Sequence, residues 1–151
     1  MVETVLAYIQ RNNQYLLLYR NKKKNDINEG KWIGVGGHVE KGETPEDALI
    51  REIKEETSLD VLEYSKRGIV YFINNNISEV MHLYVVNKVK GSISECDEGE
   101  LRYVDIDKMN QLPMWEGDKI FLQYIKENHP YFELELIYDG DELKSSKLVK
   151  Y

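Results

Sequence analysis

The sequence contains a single cysteine, Cys96, among its 151 residues. One cysteine cannot form an intrachain disulfide, and it cannot supply the thiolate cluster of a structural zinc site. No apolar run approaches the roughly 20 residues that a membrane-spanning helix needs. The N-terminal segment carries Glu3 and lacks the basic stretch that precedes the apolar region of a signal peptide. We therefore expect a cytoplasmic protein that does not associate with membranes.

Positive charge is also scarce, because 20 Lys and Arg residues face 27 Asp and Glu residues, for a net charge of −7. Phosphate backbones attract basic surfaces, so we expect no polymeric nucleic acid partner. A basic run at Lys22, Lys23 and Lys24 is expected to be solvated loop charge. A small phosphorylated ligand remains compatible with this charge when a cation bridges the two negative partners.

The length and the hydrophobic share of 42% are typical of one globular domain spanning residues 1–151, either monomeric or homodimeric. A helix is predicted over 45–57, where Thr44 is a suitable N-cap and Pro45 suits the first helical position. A second helix is predicted over 112–128. Hydrophobic periodicity predicts strands at 4–9, 15–20, 67–73, 80–86 and 101–106, and a final hairpin within 131–149. This order of elements predicts an α+β sandwich.

Three carboxylates share one narrow stripe of the first predicted helix. At about 100° per residue, Glu56 lies ~40° to one side of Glu52 and Glu55 lies ~60° to the other. Like charges at this spacing destabilise a helix by a few tenths of a kcal/mol per pair. Clustered oxygen ligands beside a glycine-rich turn suit Mg²⁺ or Mn²⁺. The alternative interpretation is a solvated acidic face next to a core stripe.

Residues 37–59 resemble the Nudix box, the signature of the Nudix hydrolases. The match consists of Gly37, five residues, Glu43, seven residues and then REIKEETSL. One position departs, since the family has glycine where this chain has Ser58. A serine in the left-handed conformation that ends such a helix is expected to cost about 1 kcal/mol or to shift the cap. The resemblance implies an α/β/α sandwich with a central mixed sheet and a catalytic loop–helix–loop.

The resemblance also assigns roles to the acidic stripe. Nudix enzymes hydrolyse a nucleoside diphosphate linked to another moiety, using divalent cations held by the box. By position, Glu52, Glu55 and Glu56 are the implied catalytic and metal-binding residues, with the Gly36 carbonyl as a further metal ligand. Either Glu52 or a carboxylate from a nearby loop would orient or deprotonate the attacking water.

Other residues complete the implied site. Glu43 and Arg51 resemble the structural pair that fixes the loop against the helix, a task that bidentate Arg–carboxylate geometry suits. An acidic residue from a distant loop often completes the metal site in this family. The acidic loop SECDEGE offers Glu98 as the favoured candidate, with Glu95 and Glu100 behind it. The alternative for each of these acids is a solvated loop charge.

Outside the box, the chain resembles the MutT-like and mammalian-type 8-oxo-dGTP diphosphatases. That resemblance implies that Trp115 stacks on the base and Asp118 hydrogen-bonds its edge, although Trp115 could also be a core residue. His38, beside the glycines, is a candidate phosphate contact. Two positions depart from the branch: Ile33 stands where the mammalian-type enzymes have a base-reading asparagine, and Gly117 replaces one of two adjacent acids. Stacking contributes ~1–3 kcal/mol and discriminates little, so base selection depends on buried polar groups.

The implied function is a Mg²⁺- or Mn²⁺-dependent nucleoside triphosphate pyrophosphohydrolase that sanitises oxidised purine nucleotides. It would convert 8-oxo-dGTP to 8-oxo-dGMP and pyrophosphate. Alternatives within the family are dinucleoside polyphosphates, ADP-ribose and RNA 5′ ends as substrates. A different class is a nucleotide-sensing module without turnover, but such a protein would be expected to lose box carboxylates, and this chain retains them.

Overall fold

The computed structural model describes residues 1–22 and 26–150. Lys23 and Lys24, two of the residues expected to form a solvated basic run, lie outside the described residues. The strands are β1 Val2–Arg11, β2 Gln14–Tyr19, β3 Trp32–Ile33, β4 Val35–His38, β5 Asp60–Asn74, β6 Ile77–Lys90, β7 Glu100–Asp105, β8 Phe132–Asp139 and β9 Glu142–Lys150. The helices are α1 Pro45–Thr57 and α2 Glu116–Lys126, with a 3₁₀ helix at Ile106–Gln111. In this described part of the chain, no helix is long and apolar enough to cross a membrane.

The strands form one mixed sheet with the order β3-β2-β1-β6-β5-β8-β9. In addition, β4 pairs with β1 and β7 pairs with β2. The β1–β6 and β5–β8 pairs are parallel, whereas the hairpins β1–β2, β5–β6 and β8–β9 are antiparallel. The predicted central mixed sheet is therefore confirmed.

Each helix covers a different face of this sheet. Because side chains alternate along a strand, neighbouring residues of β6 enter different cores. Leu83 packs in one cluster with Phe121 of α2, and Tyr84 packs in the other with Leu49 of α1. The chain is thus an α/β/α sandwich, and α1 is held beside β1 and β4.

The first helix begins and ends at the predicted residues. Its N-terminus is a capping box, in which Thr44 Oγ1 accepts from Asp47 N at 3.1 Å and Asp47 Oδ2 accepts from Thr44 N at 3.2 Å. Pro45 occupies the first turn, where its missing N–H has no helical partner to lose. Local sequence therefore determines this helix.

The second predicted helix was wrong at its ends, because α2 starts at Glu116 and ends at Lys126. The backbone is extended at Leu112 (φ −94°, ψ 147°), where the 3₁₀ helix ends, and Trp115 lies outside helical geometry. The predicted strands 67–73 and 80–86 lie inside the much longer β5 and β6. The first half of β5 is mostly exposed and polar, so hydrophobic periodicity does not reveal that the strand begins at Asp60.

Ser58 adopts the left-handed conformation expected of a glycine at the end of α1. Its φ is 68°, and its N–H donates to the Lys54 carbonyl at 3.0 Å. The Oγ atoms of Ser58 and Ser94 lie 2.6 Å apart and share a hydrogen bond. The serine therefore leaves the helix terminus in place and ties it to the loop that precedes β7.

We predict that Ser58→Gly stabilises the protein more when this serine–serine hydrogen bond has already been removed. In a Ser94→Ala background, the glycine relieves left-handed strain and should raise the free energy of unfolding by about 1 kcal/mol. In the natural background the gain should be smaller, because the hydrogen bond is lost as well. Urea denaturation of the four proteins in this cycle measures both values, and equal gains in the two backgrounds would contradict the coupling.

Candidate active site

A cavity of about 560 Å³ lies beside the strand pair β1–β4 and the C-terminal half of α1. It brings together residues from the glycine strand, α1, the acidic loop and the start of α2. The predicted site residues that line it are Gly36, Gly37, His38, Glu52, Glu56, Glu98, Trp115 and Asp118. Glu52, Glu56 and Glu98 influence one another electrostatically, whereas Trp115 and Asp118 both lie near Lys31. We refer to these two groups of lining residues as the carboxylate end and the aromatic end of the cavity.

The glycines of β4 are required by the close approach of backbone and carboxylate. A Cβ on Gly36 would lie 1.9 Å from the Val5 carbonyl oxygen of β1. A Cβ on Gly37 would lie 2.4 Å from the carboxyl carbon of Glu52. Because neither Cβ is present, α1 can place the Glu52 carboxylate directly against the backbone of β4.

Arg51 connects the loop before α1 to the helix itself. Its Nε and Nη2 donate to both carboxylate oxygens of Glu43, at 2.8 and 2.9 Å. Nη2 also donates to the His38 carbonyl at 2.9 Å, and Nη1 donates to Glu52 at 2.8 Å. The hydrogen bonds from Arg51 to Glu43 lower the pKa of Glu43 to about 2. The guanidinium thereby fixes the orientation of Glu52 as well as the loop.

Glu56 and Glu98 meet at the carboxylate end of the cavity. Burial and the contact with the Glu98 carboxylate raise the pKa of Glu56 well above its ordinary value, although the Gly36 N–H, 3.3 Å from Glu56 Oε2, opposes the shift. Arg20 holds Glu98 from the other side through Nη1 at 3.3 Å, and its Nε pairs with Asp26 at 2.9 Å. Two carboxylates in contact require a proton or a cation between them.

The other predicted acids lie outside the cavity. The Glu55 side chain is 58% exposed and pairs with Arg51 Nη1 at 3.2 Å. Glu95 is exposed, and Glu100 pairs with Arg102 on β7. Among residues 1–22 and 26–150, no three acidic, imidazole or thiol side chains are grouped closely enough to hold a metal ion as they stand. The metal-binding roles therefore stay predictions, for which Glu98 has the best position of the three loop acids.

Trp115 belongs both to the core and to the cavity wall. Its side chain contacts the rings of Phe72 and Tyr138 edge-on, with centroids 5.3 and 4.9 Å apart. Its Nε1–H donates to Asn28 Oδ1 at 2.7 Å, and the Lys31 ammonium lies 4.4 Å from the ring centroid. The indole is thus held rigidly where it borders the cavity.

Asp118 lies in the first turn of α2 and is 7% exposed. Burial raises its pKa to about 8, against the opposing influence of the Lys31 ammonium. At neutral pH the carboxyl is therefore mostly protonated and can both donate and accept a hydrogen bond. Ile33, whose side chain has no hydrogen-bonding group, lines the same cavity.

Gly117 is explained by packing. A Cβ at this position would lie 2.4 Å from Leu136 Cδ1 and 2.7 Å from the Tyr138 hydroxyl. The Gly117 N–H donates to that hydroxyl at 2.6 Å. A second acid beside Asp118 would therefore collide with β8.

Several residues that line the cavity were missed by sequence reasoning: Arg20, Asn28, Phe72 and Glu79. Glu79 lies on β6 at the same alternation as the apolar Met81, and burial raises its pKa. A carboxylate in the apolar phase of a strand is a signal that could have identified it. Asn28 stands in a polar loop, and no sequence pattern separates it from its neighbours.

Comparisons with known proteins agree with this architecture. The family profile of the NUDIX domain matches residues 2–125. The chain is 31% identical over 123 residues to the uncharacterized Nudix hydrolase YvcI of Bacillus subtilis, covering 78% of this chain and 74% of that protein. It is 36% identical over 116 residues to the oxidized purine nucleoside triphosphate hydrolase of Danio rerio, covering 69% and 74%.

Among solved structures, a MutT protein from Bacillus halodurans has the same fold. The two structures agree with a TM-score of 0.88, over 99% of this chain and 98% of the other. Because the sequences are only 23% identical, the likeness concerns the fold alone.

We predict that Asp118→Asn stabilises the protein in a pH-dependent way. The folded pKa of about 8 exceeds the value of about 3.9 in an unfolded chain. The natural protein therefore loses stability relative to the variant as pH rises between these values, by an amount on the order of a few kcal/mol. Thermal or urea unfolding from pH 4 to pH 9 measures this difference, which should level off above the folded pKa.

Asp107→Asn is the matched control. Hydrogen bonds with Lys126 and Asn13 lower the pKa of Asp107, so its contribution to stability is present at neutral pH and is lost on acidification. The Asp107 variant should be the less stable protein at pH 7, with the difference disappearing at low pH. A pH-independent effect of Asp118→Asn would contradict a buried, neutral carboxyl.

Proposed function

This chain belongs to the Nudix family of hydrolases, and from that premise we propose that it is a divalent-metal-dependent nucleoside triphosphate pyrophosphohydrolase. Its proposed substrates are oxidised purine nucleotides, with 8-oxo-dGTP converted to 8-oxo-dGMP and pyrophosphate. The observation that carries the proposal is the two-ended cavity. Its volume of about 560 Å³ lies in the range of small-ligand sites, roughly 300–1,000 Å³. The carboxylates would hold a metal–polyphosphate complex, and the aromatic and polar groups would hold a base.

The donor set at the carboxylate end fits Mg²⁺ or Mn²⁺. Glu52, Glu56 and Glu98 offer hard oxygen ligands, and the contact between Glu56 and Glu98 is one that a cation would relieve. The Gly36 carbonyl is a proposed further ligand. Glu55 would have to leave Arg51 to take part. When bound, the cation would supply charge neutralisation of the polyphosphate and a more acidic bound water.

The chain's own residues would then orient the reactants. Glu52, which Arg51 holds in the space left by Gly37, is the proposed residue that orients or deprotonates the attacking water, with a nearby loop carboxylate as the alternative. His38 lines the cavity beside the glycines and is a proposed phosphate contact. A rigid, preorganised arrangement of this kind favours in-line attack by water.

At the aromatic end, Trp115 is the proposed stacking residue and Asp118 the proposed partner of the base edge. The neutral carboxyl of Asp118 can donate to a base acceptor at physiological pH. The Danio rerio relative, an oxidized purine nucleoside triphosphate hydrolase by name, supports a purine substrate.

Ile33 favours a second candidate function. Its apolar side chain contributes no hydrogen bond to a base, which suits a hydrolase of broader range. Dinucleoside polyphosphates, ADP-ribose and RNA 5′ ends are the substrates that this alternative would include. A sensing module without turnover is the remaining class. A cytoplasmic location, no polymeric nucleic acid or membrane partner, and a monomeric or homodimeric state stay predictions.

The substrate proposal is tested by pyrophosphate release from a panel of nucleotides with Mg²⁺ or Mn²⁺. The value of kcat/KM for 8-oxo-dGTP should exceed that for dGTP by at least about tenfold, because polar groups of the site would go unpaired with the wrong base. Comparable turnover of many triphosphates would support the broader hydrolase. Turnover of none would contradict the enzyme proposal and favour a sensing module.

The catalytic proposal is tested by Glu56→Gln and Glu55→Gln. Loss of a metal-binding carboxylate should lower kcat at least about 100-fold with little change in fold. Glu63→Gln, an exposed position on β5, is the control and should keep full activity. Full activity of both box variants, with circular dichroism spectra that match the natural protein, would mean that the metal site is wrongly placed.

A further inference from the structure

The amide of Asn28 has a defined orientation in the cavity wall. An indole N–H can only donate, so the atom of Asn28 that faces Trp115 Nε1 at 2.7 Å must be the carbonyl oxygen Oδ1. The backbone also holds the residue, because the Asn28 carbonyl accepts from Lys31 N at 3.0 Å. The Nδ2 group is therefore the part of the side chain that remains for another partner.

Nδ2 has two N–H donors to offer. Within residues 1–22 and 26–150, no hydrogen bond from Nδ2 is observed, although the side chain is partly buried. Asn28 lines the cavity together with Ile33, Trp115 and Asp118. In the described part of the chain no buried side-chain nitrogen or oxygen atom lacks a partner, so Nδ2 is accessible from the cavity, where a ligand can accept from it. At the aromatic end, the ligand groups that could accept are ring nitrogens and exocyclic oxygens.

We propose that Asn28 selects purines by their substituent at C6. The donors of Nδ2 pair with the oxygen at C6 of a 6-oxo purine, such as guanine or hypoxanthine. Adenine has an amino group at C6, which also donates hydrogen bonds and therefore cannot pair with Nδ2. Asn28 thereby supplies base recognition that Ile33 cannot supply. This inference rests on the proposed function, since it names the nucleobase class that the same cavity accepts.

The chemistry of the asparagine limits the alternatives. A free asparagine recognises adenine by donating with Nδ2 and accepting with Oδ1. Here the indole N–H of Trp115 already occupies one lone pair of Oδ1 and fixes the orientation of the amide, so the Nδ2 donors are the part of the side chain best placed to recognise a ligand. A site whose buried polar groups pair with one base and not with another can discriminate by large factors.

The inference is tested with dITP and dATP, whose bases differ in the group at C6 and in the protonation of N1. The natural protein should hydrolyse dITP with a kcat/KM at least about tenfold above that for dATP. Asn28→Asp keeps an oxygen for the indole N–H and replaces the donor group with an acceptor. The dITP/dATP ratio should therefore fall by at least about tenfold in this variant.

Asn76→Asp is the matched control, because it makes the same chemical change at an exposed turn position outside the cavity. Its dITP/dATP ratio should equal that of the natural protein. A residue that only anchored the indole would leave the ratio unchanged in Asn28→Asp, since that anchor is preserved. An unchanged ratio in Asn28→Asp, or a natural protein without preference for dITP, overturns the inference.

A binding measurement separates this inference from the proposed function. Calorimetric titration of the metal-free protein with dIMP and dAMP needs no turnover, and the affinity ratio should favour dIMP and fall in Asn28→Asp. If no triphosphate is hydrolysed but this change in ratio is found, the pyrophosphohydrolase proposal fails and Asn28 still selects the base. If hydrolysis is found but both ratios are the same in Asn28→Asp as in the natural protein, the pyrophosphohydrolase proposal stands and the inference about Asn28 fails.

Discussion

The arrangement of the cavity depends on the repulsion among carboxylates that α1 places beside β4, and on the guanidinium that offsets it. Arg51 contacts Glu43, Glu52 and Glu55 and also reaches the His38 carbonyl. A lysine could not make the same set of directed contacts, because its ammonium lacks the planar fork. Arg51 thus joins the loop before α1 to Glu52, a carboxylate that lines the cavity.

Glu56 and Glu98 do not contact Arg51, and the repulsion between them is offset by a second arginine and by protonation. Arg20 holds Glu98, whereas burial and the contact with Glu98 raise the pKa of Glu56 and favour its protonated form. Two arginines on different elements, α1 and the end of β2, therefore frame the carboxylates. A cation between Glu56 and Glu98 would remove the repulsion between these two carboxylates, in keeping with the proposed metal site.

Elements that are determined by neighbouring residues could be predicted from the sequence, whereas elements that depend on contacts between distant residues could not. The first helix was predicted to the residue, because Thr44, Pro45 and Asp47 are neighbours in the chain and form its cap. The start of α2 was not, because the extended backbone at Leu112 and the position of Trp115 are set by contacts with distant strands. The Trp32 N–H, for example, donates to the Pro113 carbonyl at 2.8 Å.

The same distinction applies to the candidate site. Acids spaced along one helix could be read from the sequence, and so could the family resemblance that they carry. The pairing of Arg20 with Glu98, the partnership of Asn28 with Trp115 and the collision that excludes a side chain at Gly117 join residues far apart in sequence. No periodicity or composition encodes such contacts.

The aromatic end of the cavity rests on β8, which begins after residue 125, where the match to the family profile ends. Tyr138 packs against the edge of Trp115 and accepts from the Gly117 N–H. Glu52 and Glu56, by contrast, stand on a helix within the matched region. Trp115 and Asp118 also lie within the matched region, but the strand that supports Trp115 lies beyond it. A change in the packing of β8 would therefore move Trp115 relative to the cavity while Glu52 and Glu56 keep their positions on α1.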